Sequence, residues 1–185
     1  MLLAIIANGL LECPKVVRHC SGRSSLVGDR GHQVTAIVRE PGKLKPAQEL
    51  MIRIADVYDS AALAVLIAGH EALISAFNPG WKNPNLYADQ VRGTTSILEA
   101  VKSASLKRVL WVGGAGGLEI KPGVRVIDAP DFPAAVKPGS LATIEALEQL
   151  RSVTNSTVGG TLHRAISHDR RVLGAPRVPM FGHRR

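Results

Sequence analysis

The sequence predicts a single α/β domain built on a doubly wound parallel sheet. Short apolar runs alternate with segments of helical composition through residues 1–151. Strands that alternate with helices form right-handed βαβ units, and the resulting parallel sheet is covered by helices on both faces. A chain of 185 residues, 45% of them hydrophobic, is long enough to bury the core of one such domain. No apolar run reaches the roughly 18 residues that cross a bilayer, so we expect no membrane span.

The spacing of apolar residues predicts the strands and helices of this domain. The strands, each a short apolar or alternating run, are expected at residues 2–6, 32–39, 50–57, 71–77 and 107–114. The helices, which are rich in alanine and leucine or carry an apolar stripe, are expected at residues 59–69, 86–105 and 140–151. Ser60 and Ser140 are the expected N-terminal caps of the first and third helices.

Two segments depart from this pattern and set the expected domain limits. Residues 10–30 should hold the first crossover helix, but they carry Pro14 and a Ser/Gly cluster instead of an apolar stripe. Residues 152–185 show no strand or helix of convincing length, so the second half of the fold is expected to be incomplete. Residues 151–185 contain seven arginines and one acidic residue, so most of the net charge of +8 belongs to this end. We therefore predict one domain at residues 1–151 and a basic, poorly ordered tail at residues 152–185.

The cysteine content argues against a disulfide framework and against a metal centre. Cys13 and Cys20 are the two cysteines of the chain, and no second Cys/His pair at metal-binding spacing accompanies them. We expect no bound metal and a cytoplasmic location, where thiols stay reduced.

Ligands of a doubly wound sheet bind at the carboxyl ends of its strands, so the residues there are candidates for binding. After the first strand a glycine-rich turn would hold a pyrophosphate, but in "IIANGLLEC" Gly9 alone fits that pattern. Arg39 ends the second strand, where an arginine suits the 2′-phosphate of NADP better than the free ribose of NAD. The alternative for Arg39 is a solvated surface arginine. Asp56 ends the third strand, where it would face the adenine edge or serve as a turn former or helix cap.

The ends of the fourth and fifth strands would line the middle of the site. In "SAFNPGW", Asn78 is a polar anchor beside the nicotinamide ribose, and Trp81 offers a flat face to a planar ligand. The alternative for Trp81 is an aromatic residue at the core edge beside a structural turn. The glycines of "VGGAGG", residues 112–117, are expected to let the backbone pass close under the nicotinamide and the substrate. The alternative for these glycines is a flexible loop.

Several stretches of the chain carry motifs that resemble a known family. They are "RGHQVTAIVR", "ADVYD", "ALISAFNPGW", "YADQVRGTTSILEAVKSASLKRVLWVGGAGGLE", "PGVRVIDAPDFPA" and "KPGSLATIEALEQLR", and they lie within residues 30–151. In these motifs the chain is similar to atypical short-chain dehydrogenases/reductases of the NAD(P)H-binding, NADH-flavin reductase-like group. The resemblance implies a Rossmann-like NAD(P)-binding domain at residues 1–151 and reduction of flavins, quinones or similar planar acceptors. Some related proteins bind the cofactor and act as sensors instead.

The resemblance also implies roles for individual residues. The candidate cofactor-binding residues are Gly9, Arg39, Asp56, Val57, Ala76, Phe77, Asn78, Gly113 and Gly114. The candidate substrate-binding residues are Trp81, Gly116 and Lys137. The chain has Gly117 and Val136 where the family usually has serine and tyrosine, so the Ser/Tyr/Lys proton relay is missing. No catalytic residue is predicted for this reason.

We therefore expect an NAD(P)H-dependent oxidoreductase that passes hydride to a small planar acceptor, with NADP as the cofactor and NAD as the alternative. Flavins and quinones can take their proton from water, so loss of the relay is compatible with this chemistry. A second interpretation is a non-catalytic NADP-binding redox sensor. A third is contact between the basic tail and nucleic-acid phosphates, although no recognition motif accompanies the arginines. The sequence leaves the oligomeric state open.

Overall fold

The computed structural model describes residues 2–8, 32–40, 50–154 and 159–164. Gly9, the predicted phosphate-binding glycine, lies outside the described residues, and so does the irregular segment 10–30. The other predicted cofactor-binding and substrate-binding residues all lie within them.

A parallel sheet forms the centre of the described chain. Its strands are β1 (Leu2–Asn8), β2 (Gln33–Val38), β3 (Leu50–Ile54), β4 (Ala72–Phe77), β5 (Arg108–Gly113) and β8 (Gly159–Arg164). A separate antiparallel hairpin consists of β6 (Glu119–Lys121) and β7 (Val124–Arg125). The helices are α1 (Ser60–Ile67), α2 (Leu86–Ser103) and α3 (Lys137–Thr154). Within the described ranges, none of these helices has both the length and the apolar character that a membrane crossing requires.

The strands of the main sheet follow the order β3-β2-β1-β4-β5-β8, which confirms the predicted doubly wound class. β1 pairs with β2 on one side and with β4 on the other, where the register runs from Leu3 opposite Ala72 to Asn8 opposite Phe77. The strand order reverses between β1 and β4, and in doubly wound sheets such a reversal marks the crevice at the carboxyl ends of the strands where ligands bind. β4 and β5 pair only as far as Ser75 opposite Trp111. The ladder between β4 and β5 therefore ends before either strand does.

Both faces of the sheet are apolar, because alternate residues of each strand point to opposite sides. The larger cluster lies between the sheet and the three helices, and its strand residues include Ala4, Ile6, Ile37, Leu73 and Trp111. The second cluster lies on the opposite face and consists of Ile5, Val34, Ala36, Val38 and Leu50, with Ile52, Ala72 and Ile74 packed against it. This double burial is typical of parallel sheets.

The contact between α2 and β4 depends on a missing side chain. Phe77, the last residue of β4, packs its ring against Gly93 in the middle of α2. A Cβ atom added at Gly93 would lie 2.5 Å from Cζ of Phe77, which is closer than real side chains approach. Glycine at position 93 thus lets α2 lie directly over the end of β4, beside the crevice.

Two predicted helix caps are wrong. The N-cap of α1 is Asp59, whose side chain accepts a hydrogen bond from the backbone N–H of Ala62 at 2.9 Å, and Ser60 is the first helical residue. An aspartate cap adds a favourable negative charge to the helix N-terminus. α3 begins at Lys137, so Ser140 lies inside its first turns. Pro138 fits there because proline is tolerated in the first turn of a helix.

The expectation of no strand after residue 151 is wrong as well. α3 continues to Thr154, and β8 pairs in parallel with β5, from Arg108 opposite Gly159 to Gly113 opposite Arg164. The sequence signal is weak because two consecutive glycines open this strand and interrupt the alternation that identifies strands. The tail from residue 165 onward lies outside the described residues.

We predict that Gly93→Ala lowers the free energy of unfolding by about 1–3 kcal/mol, because the added methyl group meets the Phe77 ring. The opposing gain in helix propensity is about 1 kcal/mol. Urea denaturation measures the difference, with Thr95→Ala on the exposed side of α2 as the control. The methyl group should cost less in a Phe77→Leu background. A stability of Gly93→Ala equal to or above that of the original chain would contradict the packing.

Candidate functional site

One cleft at the carboxyl ends of the first three strands collects residues that the sequence singled out. It is lined by Ile6, Ile37, Val38, Arg39, Ala55, Val57 and Leu63. Arg39 is exposed at this cleft, and Val57 is buried in its wall. The structure therefore brings Arg39 and Val57 to one cleft from different loops.

Asp56 has a local structural role beside this cleft. Its side chain accepts a hydrogen bond from the backbone N–H of Tyr58 at 3.0 Å, which turns the chain from β3 towards α1. The carboxyl group is exposed, and Asp56 is not among the residues that line the cleft. This geometry is that of the turn former, the alternative interpretation of Asp56, and it explains why β3 ends at Ile54 rather than at residue 57.

Tyr58 connects this turn to α2, a role that sequence reasoning missed. Its ring meets the ring of Phe77 edge to face, with centroids 6.1 Å apart and planes at 89°. The guanidinium of Arg92 lies 4.0 Å from the centroid of the Tyr58 ring and 3.3 Å from a carboxylate oxygen of Asp89. Burial raises the pKa of Tyr58, which keeps its hydroxyl protonated. No periodic pattern links these residues, because they meet through tertiary packing.

The end of β4 is fixed by its own turn and by α2. The side chain of Asn78 accepts a hydrogen bond from the backbone N–H of Gly80 at 2.7 Å, and Gly80 has the positive φ of 109° that this turn needs. The side chain of Phe77 is buried towards α2, and Ala76 is half-buried. The side-chain carbonyl oxygen of Asn78, the predicted polar anchor, is thus hydrogen-bonded within the turn.

Gln90 on α2 holds the backbone at the end of β4. Sequence reasoning missed this role. Its side-chain N–H donates to the carbonyl oxygen of Phe77 at 3.3 Å, beyond the residues where β4 and β5 pair. The residue is 2% exposed, and its side-chain oxygen has no hydrogen-bond partner in the described part of the chain. A buried oxygen without a hydrogen-bond partner lowers the stability of the fold, so this side-chain oxygen is a candidate for binding a ligand. A glutamine within a helix carries no sequence signal for this role.

The glycine-rich segment after β5 packs tightly against α3. Residues Ala115–Gly117 form one 3₁₀ turn. A Cβ atom added at Gly114 would lie 2.9 Å from Oγ1 of Thr143, and one at Gly116 would lie 2.8 Å from Cβ of Ser140. One at Gly117 would lie 3.0 Å from Cγ1 of Ile144. Because these residues have no side chains, α3 can pack directly against the segment. The sequence did not indicate this packing role. An open, flexible loop, the alternative interpretation of these glycines, would not make such contacts.

Trp81 and α3 meet on the other side of the crevice. The Trp81 side chain is 49% exposed, and its ring rests on Gly139, where an added Cβ atom would lie 2.6 Å from Cζ3. Lys137 is exposed at the first residue of α3, and Val136, where the family usually has tyrosine, is also exposed. The loop after β4 and the start of α3 thus form one continuous surface that carries an aromatic ring and a cation.

Asp128 lies in the loop that precedes α3. Arg125 donates to both of its carboxylate oxygens, at 3.0 and 3.1 Å, and this pairing lowers the pKa of Asp128. Ile127 beside it is buried and lies within contact distance of Gly116. The hairpin region is therefore anchored to the glycine-rich segment. No group of three or more His, Cys, Asp or Glu residues in the described ranges could hold a metal ion.

Comparison with known proteins places this geometry among cofactor-binding domains. A family model described as NAD(P)H-binding matches residues 23–155. The chain is 35% identical over 124 residues to the uncharacterized protein YwnB of Bacillus subtilis, a match that covers 66% of this chain and 55% of that protein. The chain thus spans about half the length of this curated relative.

Two solved structures share the fold of the described sheet and helices. One is a candidate epimerase from Bacteroides thetaiotaomicron, with a TM-score of 0.72, 28% identity and coverage of 88% of this chain and 69% of that chain. The other is a candidate NADH-flavin reductase from Streptococcus pneumoniae, with a TM-score of 0.69, 30% identity and coverage of 89% and 71% respectively.

The packing of the glycine-rich segment leads to a graded prediction. Gly116→Ala should lower the free energy of unfolding by about 1–3 kcal/mol, because its methyl group meets Cβ of Ser140, which cannot move away without the helix. Gly117→Ala should cost less, since an added Cβ atom there would lie 3.0 Å from Cγ1 of Ile144, farther than the 2.8 Å contact at Gly116. Neither glycine has a positive φ, so alanine fits both backbones. Urea denaturation without cofactor measures both variants, and equal stability of Gly116→Ala and the original chain would contradict the packing role.

Proposed function

Because the chain belongs to the NAD(P)H-binding family, in the atypical short-chain dehydrogenase/reductase group, we propose that it is a reductase that uses NADPH to reduce a planar acceptor of the flavin or quinone type. The carrying observation is the crevice at the carboxyl ends of β1, β4 and β5, with the Arg39 cleft at one end and the Trp81 surface at the other.

The residues around the crevice fit a dinucleotide laid across the strand ends. The small cleft at Val57 offers an apolar surface to one edge of an adenine ring, and the pairing of β4 with β5 stops at Ser75 and Trp111, before Asn78 and Gly113. Gln90 supports this because it holds the Phe77 carbonyl and has a buried side-chain oxygen without a hydrogen-bond partner in the described part of the chain. A nicotinamide bound there supplies a hydride.

Arg39 is the residue proposed to select NADPH over NADH. It lies exposed at the mouth of the adenosine cleft, directly after β2. A guanidinium can donate two parallel hydrogen bonds to a phosphate, and it stays charged at every physiological pH. The 2′-phosphate is the group that distinguishes the two cofactors, so one arginine at this position is enough to create a preference.

Two features support a planar acceptor of the flavin or quinone type: the missing hydroxyl groups at two family positions and the exposed ring of Trp81. Gly117 and Val136 stand where the family usually has serine and tyrosine, so these two positions supply no hydroxyl to pass a proton to a carbonyl substrate. The exposed ring of Trp81 can hold a planar acceptor by stacking. Reduction of a flavin or quinone needs no side-chain acid, since water supplies the proton. The contribution of these residues is to position the acceptor and to exclude competing water.

We predict that Arg39→Gln weakens NADPH binding about 10- to 100-fold, the loss expected for a charge-assisted hydrogen bond, and leaves NADH binding within about twofold. Isothermal titration calorimetry measures both cofactors. The matched control is Arg53→Gln, which removes an exposed arginine on β3. Equal losses for both cofactors in Arg39→Gln, or an unchanged affinity for NADPH, would contradict the assignment of Arg39.

The reaction itself is tested by turnover of NADPH with riboflavin and with a small quinone, followed at the absorbance of the reduced nicotinamide. Oxidation of NADPH that depends on the acceptor supports the proposal. Tight NADPH binding with neither acceptor reduced contradicts a reductase and favours the alternative of an NADP-binding redox sensor. Absence of binding contradicts both functions.

A further inference from the structure

The indole ring of Trp81 is held at its outer edge by a glycine of α3. A Cβ atom added at Gly139 would lie 2.6 Å from Cζ3 and 3.3 Å from Cη2 of Trp81, and 3.4 Å from Cδ2 of Leu86. The outer edge of the six-membered ring therefore lies against the backbone of Gly139, next to the buried side chain of Leu86. The Trp81 side chain is nevertheless half-exposed. One edge of the ring is thus in contact with α3, while another part remains open to a ligand.

Hydrogen bonds fix the backbone on either side of Trp81. The side chain of Asn78 accepts from the backbone N–H of Gly80 at 2.7 Å, and the N–H of Asn83 donates to the carbonyl oxygen of Gly80 at 3.0 Å. The side-chain N–H of Asn83 donates to Asp89 on α2 at 2.8 Å. Because the loop backbone is held in this way, the position of the ring depends on its own torsions and on the groups that it touches.

A side chain at position 139 would move the ring rather than the helix. α3 is held by further close contacts, since a Cβ atom added at Gly116 would lie 2.8 Å from Cβ of Ser140 and one at Gly114 would lie 2.9 Å from Oγ1 of Thr143. The Trp81 ring, by contrast, is the far end of a half-exposed side chain and can rotate about its torsions. Gly139 has no positive φ, so an alanine fits its backbone.

We propose that Gly139 is a positioning residue for the acceptor, because it holds the Trp81 ring where that ring stacks on the planar acceptor. The inference rests on the proposed reductase function. A methyl group at position 139 would displace the ring and reduce its overlap with the acceptor. Stacking of aromatic rings changes a dissociation constant by about 3- to 10-fold, which is the loss expected for the acceptor.

The test compares riboflavin binding by the original chain and by Gly139→Ala. Equilibrium dialysis with saturating NADP measures the dissociation constant of riboflavin without any turnover. We expect this constant to rise about 3- to 10-fold in Gly139→Ala, because the displaced Trp81 ring stacks less well. The dissociation constant of NADP should stay within about twofold, since the acceptor alone stacks on this ring.

The matched control repeats the substitution in a Trp81→Phe background. Phenylalanine has no Cζ3 or Cη2 atom for the methyl group of Gly139→Ala to meet. In this background Gly139→Ala should change riboflavin binding by less than about twofold, even though Trp81→Phe alone weakens it. A general effect of alanine on α3 would instead appear in both backgrounds.

Tryptophan fluorescence reports the position of the ring directly. The chain has two tryptophans, and Trp111 is 2% exposed, so iodide in solution quenches Trp81 selectively. Quenching by iodide should be stronger in Gly139→Ala, because the ring has left its contact with α3. Urea denaturation should show a smaller loss of stability than in Gly116→Ala, since a side chain yields here instead of a helix.

The inference is overturned if Gly139→Ala binds riboflavin as tightly as the original chain, or if the loss persists undiminished in the Trp81→Phe background. Unchanged iodide quenching in Gly139→Ala, or no binding of riboflavin by the original chain, would overturn it as well. Reduction of a small quinone by NADPH in the original chain would in each case leave the proposed reductase function standing. The two proposals therefore fail separately.

Discussion

The pairing of β1 with β4 is the constraint on which the rest of the structure depends. From Leu3 opposite Ala72 to Asn8 opposite Phe77, the register fixes where the two strands end relative to each other. The strand order runs from β1 to β2 and β3 on one side and from β4 to β5 on the other, and ligands of doubly wound sheets bind beside such a reversal. A ligand can therefore reach backbone from several strands at once. The Arg39 cleft and the Trp81 surface lie on either side of this point.

The second organising feature is α2, which fixes the end of β4 through contacts of different kinds. Gly93 allows the Phe77 ring to approach the helix, and Gln90 binds the Phe77 carbonyl. Arg92 covers the ring of Tyr58, which in turn touches Phe77. The turn after β3 and the end of β4 are thus attached to the same helix. Because protein interiors are close-packed, a displacement of α2 would move the turn after β3 and the end of β4 together.

Local patterns in the sequence predicted the class of fold and most of the strands and helices. Periodicity reports which face of an element is buried, and this was enough to place Arg39 and Val57 at one cleft. It could not show that Gly114, Gly116 and Gly117 make room for α3, since glycine has the same signature in a ligand loop and in a packing contact. It missed β8, whose glycines interrupt the alternation, and it missed Gln90 and Tyr58, whose roles depend on partners distant in sequence. The assignments of individual residues to cofactor and acceptor remain predictions.

The most direct test of the central claim, that the cofactor binds where β1 and β4 meet, is a titration of the ¹⁵N-labelled chain with NADPH, followed by the backbone amide shifts. The account predicts that the shifts concentrate at the carboxyl ends of the strands, at Arg39, Phe77, Asn78 and Gly113. Amides at the opposite edge, such as those of Glu71 and Arg108, should stay unchanged. Shifts confined to that opposite edge, or no saturable shift at any amide, would contradict it.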